Sequence, residues 1–229
     1  GRLPTNQALL DHLAGRFVEN GWSMKKLIRE IVLSRTYQLS AATGAQAKVD
    51  IENELHWRQN RRRLQAESIR DAILSVSGQL DKTMGGSTIK TGTGIEYGYK
   101  FDDTRRSLYT PVFRNTPLEI LAVFDFADPN LVVGERTTSS VPTQALFLMN
   151  NPFVRQQAEA AATRLLQEED LANDSARIAH AYQRTLGRRP TSTERDVILK
   201  FVQTEQDPAT TWTQILHSLV ASLDFRFLN

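Results

Sequence analysis

The stretch NPFVRQQAEAAATRLLQ, residues 151–167, decides the fold class of this chain. Asn151 is a residue type that caps helix N-termini, and Pro152 suits the first helical position, where its missing N–H would have no partner. Phe153, Ala161 and Leu165 follow at multiples of four residues, so a helix would bring them to one face. The stretch therefore predicts a helix with one apolar side, and similar signals recur on both sides of it.

Helix start and stop signals recur along most of the chain. Each start signal comes just before apolar residues at helical spacing, and a glycine ends three of the runs. The predicted N-caps are Ser23, Thr116 before Pro117, Asp174, Thr191 with Glu194 as a capping box, and Asp207 before Pro208; the predicted stops are Asn20-Gly21, Gly78 and Gly187. These signals predict a mainly α fold.

One region departs from the helical pattern. Residues 85–104 are rich in glycine and polar residues, and the following RRSLYTPVFRN, residues 105–115, is β-branched and aromatic, with Pro111 favouring an edge or irregular strand. We therefore predict a multi-helix orthogonal or bundle-like domain with one short extended or hairpin segment near residues 95–113. The chain forms either a single helical domain over 1–229 or two lobes, 1–84 and 105–229, joined by the loop 85–104.

The composition excludes several classes of function. The formal net charge of +2 is too small to favour nucleic-acid binding, and no apolar run reaches the roughly 20 residues that span a bilayer. The absence of cysteine excludes disulfides, thiolate metal sites and CxxCH haem attachment. The four histidines are scattered without metal-ligand spacing and are expected at the surface or at its boundary with the core. We expect neither a metal nor a cofactor.

Candidate binding residues lie in the non-helical joints. Arg63 ends the run Arg61–Arg63, which we place on a helix where neighbouring carboxylates pair with it. In FRN and FDFADPN the candidates are Arg114, Asn115, Asp125 and Asp128, and in TTSSVPTQALFLMNNPFV the candidate is Gln144. Asp125 and Asp128 also offer oxygens to a cation, although the Asp-Pro-Asn composition favours a turn. We expect Arg114 to donate a buried hydrogen bond.

No catalytic constellation is recognisable in the sequence. Glycoside hydrolysis would need two facing carboxylates, and the close acidic pairs are Asp125 with Asp128 and Glu67 with Asp71. Helical spacing puts Glu67 and Asp71 on one face, where ion pairs with Arg63 or Arg70 are the simpler interpretation.

The order of six segments resembles a planctomycete-specific domain of unknown function. The segments are TNQALLDHLAGRFVENGWSMKKLIREIVLSRTYQLS (5–40), RQNRRRLQAESIRDAILSVSGQLD (58–81), RRSLYTPVFRN (105–115), FDFADPN (124–130), TTSSVPTQALFLMNNPFV (137–154) and LGRRPTSTE (186–194). The resemblance covers essentially the whole chain. It implies the C-terminal part of a large exported protein that often carries a cytochrome-c-like domain upstream, and it implies no particular chemistry.

These observations favour a non-catalytic structural or interaction module of a larger extracytoplasmic protein. The chain begins Gly1-Arg2-Leu3-Pro4 without an initiator methionine, so we expect it to be part of a longer polypeptide. Its expected partners are the upstream domains of that polypeptide, and beyond them a protein or a glycan. The alternative is a subdomain of a polysaccharide-processing enzyme whose pocket is completed by the upstream domains.

Overall fold

A computed structural model describes residues 3–171 and 173–228 of the chain, and within them the fold is mainly α, as predicted. The chain divides into two compact units: the first comprises residues 1–62 and 227–229, and the second comprises residues 63–226. The prediction of a single domain, or of lobes at 1–84 and 105–229, stays a prediction. None of the described helices is both long and apolar enough to cross a membrane.

The first unit begins with two helices, α1 (Gln7–Glu19) and α2 (Met24–Leu33). The side chain of Asn6 caps α1 by accepting from the amide of Leu9 at 3.0 Å, and Ser23 caps α2 as predicted. Neither helix has a buried residue. A 3-10 turn, Ala45–Lys48, and a series of turns lead to Arg62, the first residue of the short strand β1 (Arg62–Arg63), whose second residue belongs to the second unit. The partner of β1 is β2 (Phe227–Leu228).

The second unit contains the hydrophobic core. Its helices are α3 (Ala66–Ser77), α4 (Glu119–Val123), α5 (Pro142–Asn150), α6 (Pro152–Gln167), α7 (Asp174–Leu186), α8 (Ser192–Thr204) and α9 (Pro208–Ala221). Helix α6 packs along α9 and against α3, and α5 and α7 also contact α9. Trp212 of α9, Leu148 of α5 and Val154 of α6 are almost completely buried in this core, which stabilises the helices through their apolar faces.

Most of the predicted helix ends are confirmed because they depend on local hydrogen bonds. Asn151 caps α6, Thr191 and Glu194 form a complete capping box, and Gly78 ends α3 in the left-handed conformation with φ +79°. Two starts were predicted wrongly. Asn173, not Asp174, caps α7, and α4 begins at Glu119 without a capping bond from Thr116.

Two segments differ from the sequence prediction in their local structure. Arg61–Arg63 was predicted on a helix, but α3 begins at Ala66 and β1 contains Arg62 and Arg63. No strand is present in residues 95–113, which are all described; they contain a 3-10 turn, Ser107–Tyr109, and a single bridge from Arg105 to Asp81. The polar groups of this segment are bound by α3 instead, since the amide and hydroxyl of Ser107 both donate to Asp71 at 2.7 Å.

Candidate functional site

Three of the predicted binding residues, Arg63, Asp125 and Gln144, lie together in the second unit. Arg63 Nη2 donates to a carboxylate oxygen of Asp125 at 2.7 Å and to the carbonyl of Phe124 at 3.3 Å. Gln144 Nε2 lies 3.4 Å from the same carboxylate oxygen and donates to the carbonyl of Val123 at 3.2 Å. The cluster joins the segment before α3, the end of α4 and the start of α5.

The backbone at Asp125 explains how its carboxylate reaches this cluster. Directly after α4 ends, Asp125 has φ +58°. This is the left-handed region, which residues other than glycine seldom adopt. The amide of Ser139 donates to the carboxylate at 2.8 Å, and the Ser139 hydroxyl donates at 2.9 Å. These bonds and the Arg63 ion pair stabilise the unusual turn.

Several polar atoms of the cluster have no partner among the described residues. They are Arg63 Nε and Nη1, Gln144 Oε1 and Nε of the neighbouring Arg226. Burial, and then the charge of Arg63, lower the pKa of Arg226. The Arg63 side chain is only 3% exposed and Gln144 is fully buried, so a substrate has little access to either. The geometry indicates an internal polar support rather than a reaction centre.

The other predicted residues, Arg114, Asn115 and Asp128, do not join this cluster. Asp128 accepts from the amide of Asn130 at 2.8 Å, which is the turn geometry that its sequence favours. Asn115 donates to the carboxylate of Glu96. The expectation of a buried hydrogen bond from Arg114 is wrong, because the residue is exposed and its backbone carbonyl, not its guanidinium, accepts from Asn130 at 3.4 Å.

The acidic pair Glu67 and Asp71 lines a cleft of about 600 Å³ in the second unit. Glu67 receives two hydrogen bonds from Arg136 Nη1, at 2.8 and 2.9 Å, and the Arg136 guanidinium also lies 4.7 Å from the ring centre of Phe126. Asp71 is held by Ser107 and lies 3.8 Å from the Arg70 guanidinium. Both carboxylates are therefore partnered, Glu67 by an arginine that the sequence did not indicate.

A second pocket, of about 450 Å³, lies within the first unit. The two helices contribute the apolar side chains of Leu9, Leu13 and Ile31, together with the polar His12 of α1 and Glu30 of α2. The residues after α2 contribute mainly polar side chains, which include Tyr37, His56, Arg58 and, on β1, Arg62. We call these later residues the polar wall. A mainly apolar lining with a few polar groups is the usual composition of a small-molecule site.

The polar wall is built around the buried side chain of Asn53. Its amide group donates to the carbonyl of Arg58 at 2.8 Å and to the side chain of Asn60 at 3.1 Å, while its carbonyl oxygen accepts from the amide of Arg58 at 3.2 Å. Asn53 has φ +57°, which asparagine tolerates better than most residues. The Trp57 indole donates to the carbonyl of Asp50 at 2.8 Å, and the Arg58 guanidinium lies 5.2 Å from the Trp57 ring centre.

Sequence reasoning missed this pocket, although it did identify its helices. His12 and His56, interpreted as surface or boundary residues, are both exposed and both line the pocket. Asn53, which is itself in the left-handed conformation, was a weak signal, because asparagine is common in any loop. Within the described residues, no three His, Asp or Glu side chains are grouped as a metal ion would require.

The chain was compared with known proteins at the level of family, sequence and structure. No curated protein and no solved structure matches it. A family model matches residues 1–202, which is most of the chain. The chain therefore belongs to the family described as PSD1, protein of unknown function (DUF1553).

Proposed function

We propose that the chain is a non-catalytic interaction module of a larger extracytoplasmic protein, and that α1 and α2 supply its contact surface. The observation that carries this proposal is that neither helix buries a single residue, although both contain many apolar side chains. The second unit, in contrast, has an extensive core of its own.

The exposed apolar residues of α1 and α2 follow helical spacing. On α2, Met24, Ile28 and Val32 recur every four residues, and Ile28 is 53% exposed. On α1, Leu10 and Val18 lie on one face, and Val18 is 52% exposed. Residues at this spacing form a stripe along a helix, which is the surface that a partner buries in helix-mediated recognition.

The energetics favour a partner for these stripes. Burying a Leu, Ile or Val side chain is worth roughly 1.5–3 kcal/mol, and a contiguous exposed apolar surface commonly marks an interaction site. Polar side chains in the second unit, such as Arg63 and Glu67, are used in internal pairs. The chemistry available to the described residues thus supports binding more than catalysis.

The proposed partner is the upstream part of the same polypeptide, in an exported setting. This assignment follows from the planctomycete domain that the sequence resembles, in which the domain lies C-terminal in large exported proteins, often with a cytochrome-c-like domain. Binding of a separate protein or a glycan by the same surface would extend this role.

Site-specific photo-crosslinking in the natural polypeptide that contains the chain tests the proposal. A photo-reactive residue at Ile28 should form crosslinks to residues outside positions 1–229, because the stripe is covered there. The matched control is Lys26, which is exposed on the other side of α2 and should form few crosslinks. Equal crosslinking from both positions, or none from Ile28, would contradict the proposal.

One observation favours the alternative, a subdomain of a polysaccharide-processing enzyme. Glu67 and Asp71 line the same cleft, together with the exposed Arg106. In the natural polypeptide, Glu67→Gln and Asp71→Asn would each abolish hydrolysis of an oligosaccharide if these carboxylates were the acid and base. Unchanged reducing-end release in both variants, measured against Glu169→Gln as the control, would rule this alternative out.

A further inference from the structure

We propose that the 450 Å³ pocket of the first unit binds a small organic anion. The carboxylate of the ligand would lie against Arg58 and Arg62, and its apolar body would lie against Leu9, Leu13 and Ile31. This site is separate from the proposed interaction surface, since Met24, Ile28 and Val32 do not line the pocket.

The charges of the lining favour an anion. Arg58 and Arg62 bring two positive charges, and Glu30 is the acidic side chain of the lining. Glu30 accepts from Arg16 Nε at 3.1 Å, but Arg16 also pairs with Glu19 at 3.3 Å, so the charge of Glu30 is only partly compensated from outside the lining. The lining therefore carries two arginines against one glutamate, and neither arginine forms an ion pair with a described carboxylate.

The two arginines also have unused hydrogen-bonding capacity. In the described part of the chain, the Arg58 guanidinium makes one hydrogen bond, from Nη1 to the carbonyl of Gln59 at 3.4 Å, and its buried Nε has no partner. The Arg62 side chain has neither a hydrogen bond nor an ion pair to a described residue. Two N–H groups of a guanidinium can donate in parallel to the two oxygens of a carboxylate. Arginine is therefore a common residue for binding carboxylates.

The local structure fixes Arg58 before any ligand binds. The backbone N–H and C=O of Arg58 both form hydrogen bonds with the side chain of the buried Asn53. The Arg58 guanidinium lies over the Trp57 ring. Restricting an arginine in this way reduces the side-chain entropy lost on binding. Because Leu9, Leu13 and Ile31 also line the pocket, a small inorganic anion would leave these apolar side chains without a contact. The pocket therefore favours a ligand with a charged end and a hydrocarbon end.

Binding of hexanoate to the chain, measured by isothermal titration calorimetry, tests this inference. Hexanamide, which has nearly the same shape without the charge, and inorganic phosphate, which has charge without the hydrocarbon, serve as matched probes. We expect hexanoate to bind at least about tenfold more tightly than either, since a charge-assisted pair contributes more than a neutral one.

Two kinds of variant connect that binding to this pocket. Arg62→Gln should weaken hexanoate binding by about tenfold, whereas Arg29→Gln, an exposed arginine of α2 outside the lining, should leave it unchanged. Leu9→Glu introduces a negative charge among the apolar side chains of the lining at a position that is 41% exposed, so the fold should tolerate it while hexanoate binding is lost. Melting temperatures of all three variants establish that they are folded.

Each outcome decides the question. Preference for hexanoate, lost in Arg62→Gln and Leu9→Glu but kept in Arg29→Gln, supports the site. The inference is overturned if hexanamide or phosphate binds as tightly as hexanoate, if the lining variants and the control respond alike, or if hexanoate does not bind. The crosslinking result for Ile28 is independent of all of these.

Discussion

Asp125 is the described carboxylate that pairs with the buried Arg63, and it holds that ion pair from a left-handed backbone position. An arginine whose side chain is 3% exposed cannot recover the lost interaction from water if its partner is removed. The two residues are far apart in sequence, so their contact also fixes the segment before α3 against the end of α4.

At the residue scale, we predict that Asp125→Asn lowers the free energy of unfolding by about 3 kcal/mol. Asparagine has nearly the same side-chain size as aspartate and tolerates the left-handed backbone conformation. It has no negative charge, however, so the positive charge of Arg63 is left buried without compensation. Urea denaturation measures the change.

The matched control for this prediction is Asp128→Asn in the same loop. Asp128 is exposed and accepts from the amide of Asn130, which an asparagine carbonyl can also do. We expect a change below about 0.5 kcal/mol. Similar losses of unfolding free energy in the two variants would mean that the ion pair with Arg63 does not account for the effect of Asp125→Asn.

At the scale of elements, the start of α8 combines a capping box with an ion pair. Glu194 accepts from the amide of Thr191 at 2.7 Å and forms a two-pronged pair with Arg188, at 2.7 and 2.9 Å. Arg188 also donates to Asp224 at 2.8 Å, so the cap connects α8 to the end of the second unit. The Arg188 pair, more than the capping bonds, lowers the pKa of Glu194 from 4.5 to about 2.

We predict that Glu194 makes a pH-dependent contribution to the free energy of unfolding of the second unit. Its folded pKa lies below its ordinary value, so this contribution is complete above pH 4.5 and is lost as the pH falls toward 2. Glu194→Gln should lower the free energy of unfolding by roughly 1 kcal/mol at pH 7, and the difference from the parent should shrink with acid. A difference that stays constant between pH 7 and 2.5 in urea titrations would contradict the prediction.

At the scale of the whole molecule, the two units differ in how much apolar surface they bury. Trp212, Leu148 and Val154 lie in the core of the second unit, whereas no residue of α1 or α2 is buried. The free energy of local unfolding is lowest where few apolar contacts are broken.

We therefore predict that amide hydrogens of α1 and α2 exchange much faster than those of α6 and α9. Trp212→Ala should reduce the protection of α6 and α9 by about 3–5 kcal/mol, the usual cost of removing a buried aromatic side chain, and should change α1 and α2 little. Hydrogen–deuterium exchange with mass spectrometry measures both effects. Equal protection of all four helices in the parent chain would show that the first unit is stabilised in another way.

The tertiary pairings explain where the sequence-based predictions failed. Arg63, Asp125 and Gln144 were identified individually as candidates, but Arg63 was placed on a helix and its partner was sought nearby. Its partner is instead 62 positions away. Arg114 is chemically the same residue as Arg63 and was expected to be buried, yet it is exposed. Residue type alone could not distinguish the two, because burial depends on how distant segments pack.

The sequence by itself determined the helical class and most helix ends, because an N-cap such as Ser23 or Thr191 bonds within three or four residues of itself. Tertiary structure decided what is buried and what is brought together: the Arg63–Asp125 pair, the uncovered stripes of α1 and α2, and the pocket between Leu9 and Arg58. These features depend on contacts between residues distant in sequence. Local propensity carries no information about such contacts, so they appear only when the chain is folded.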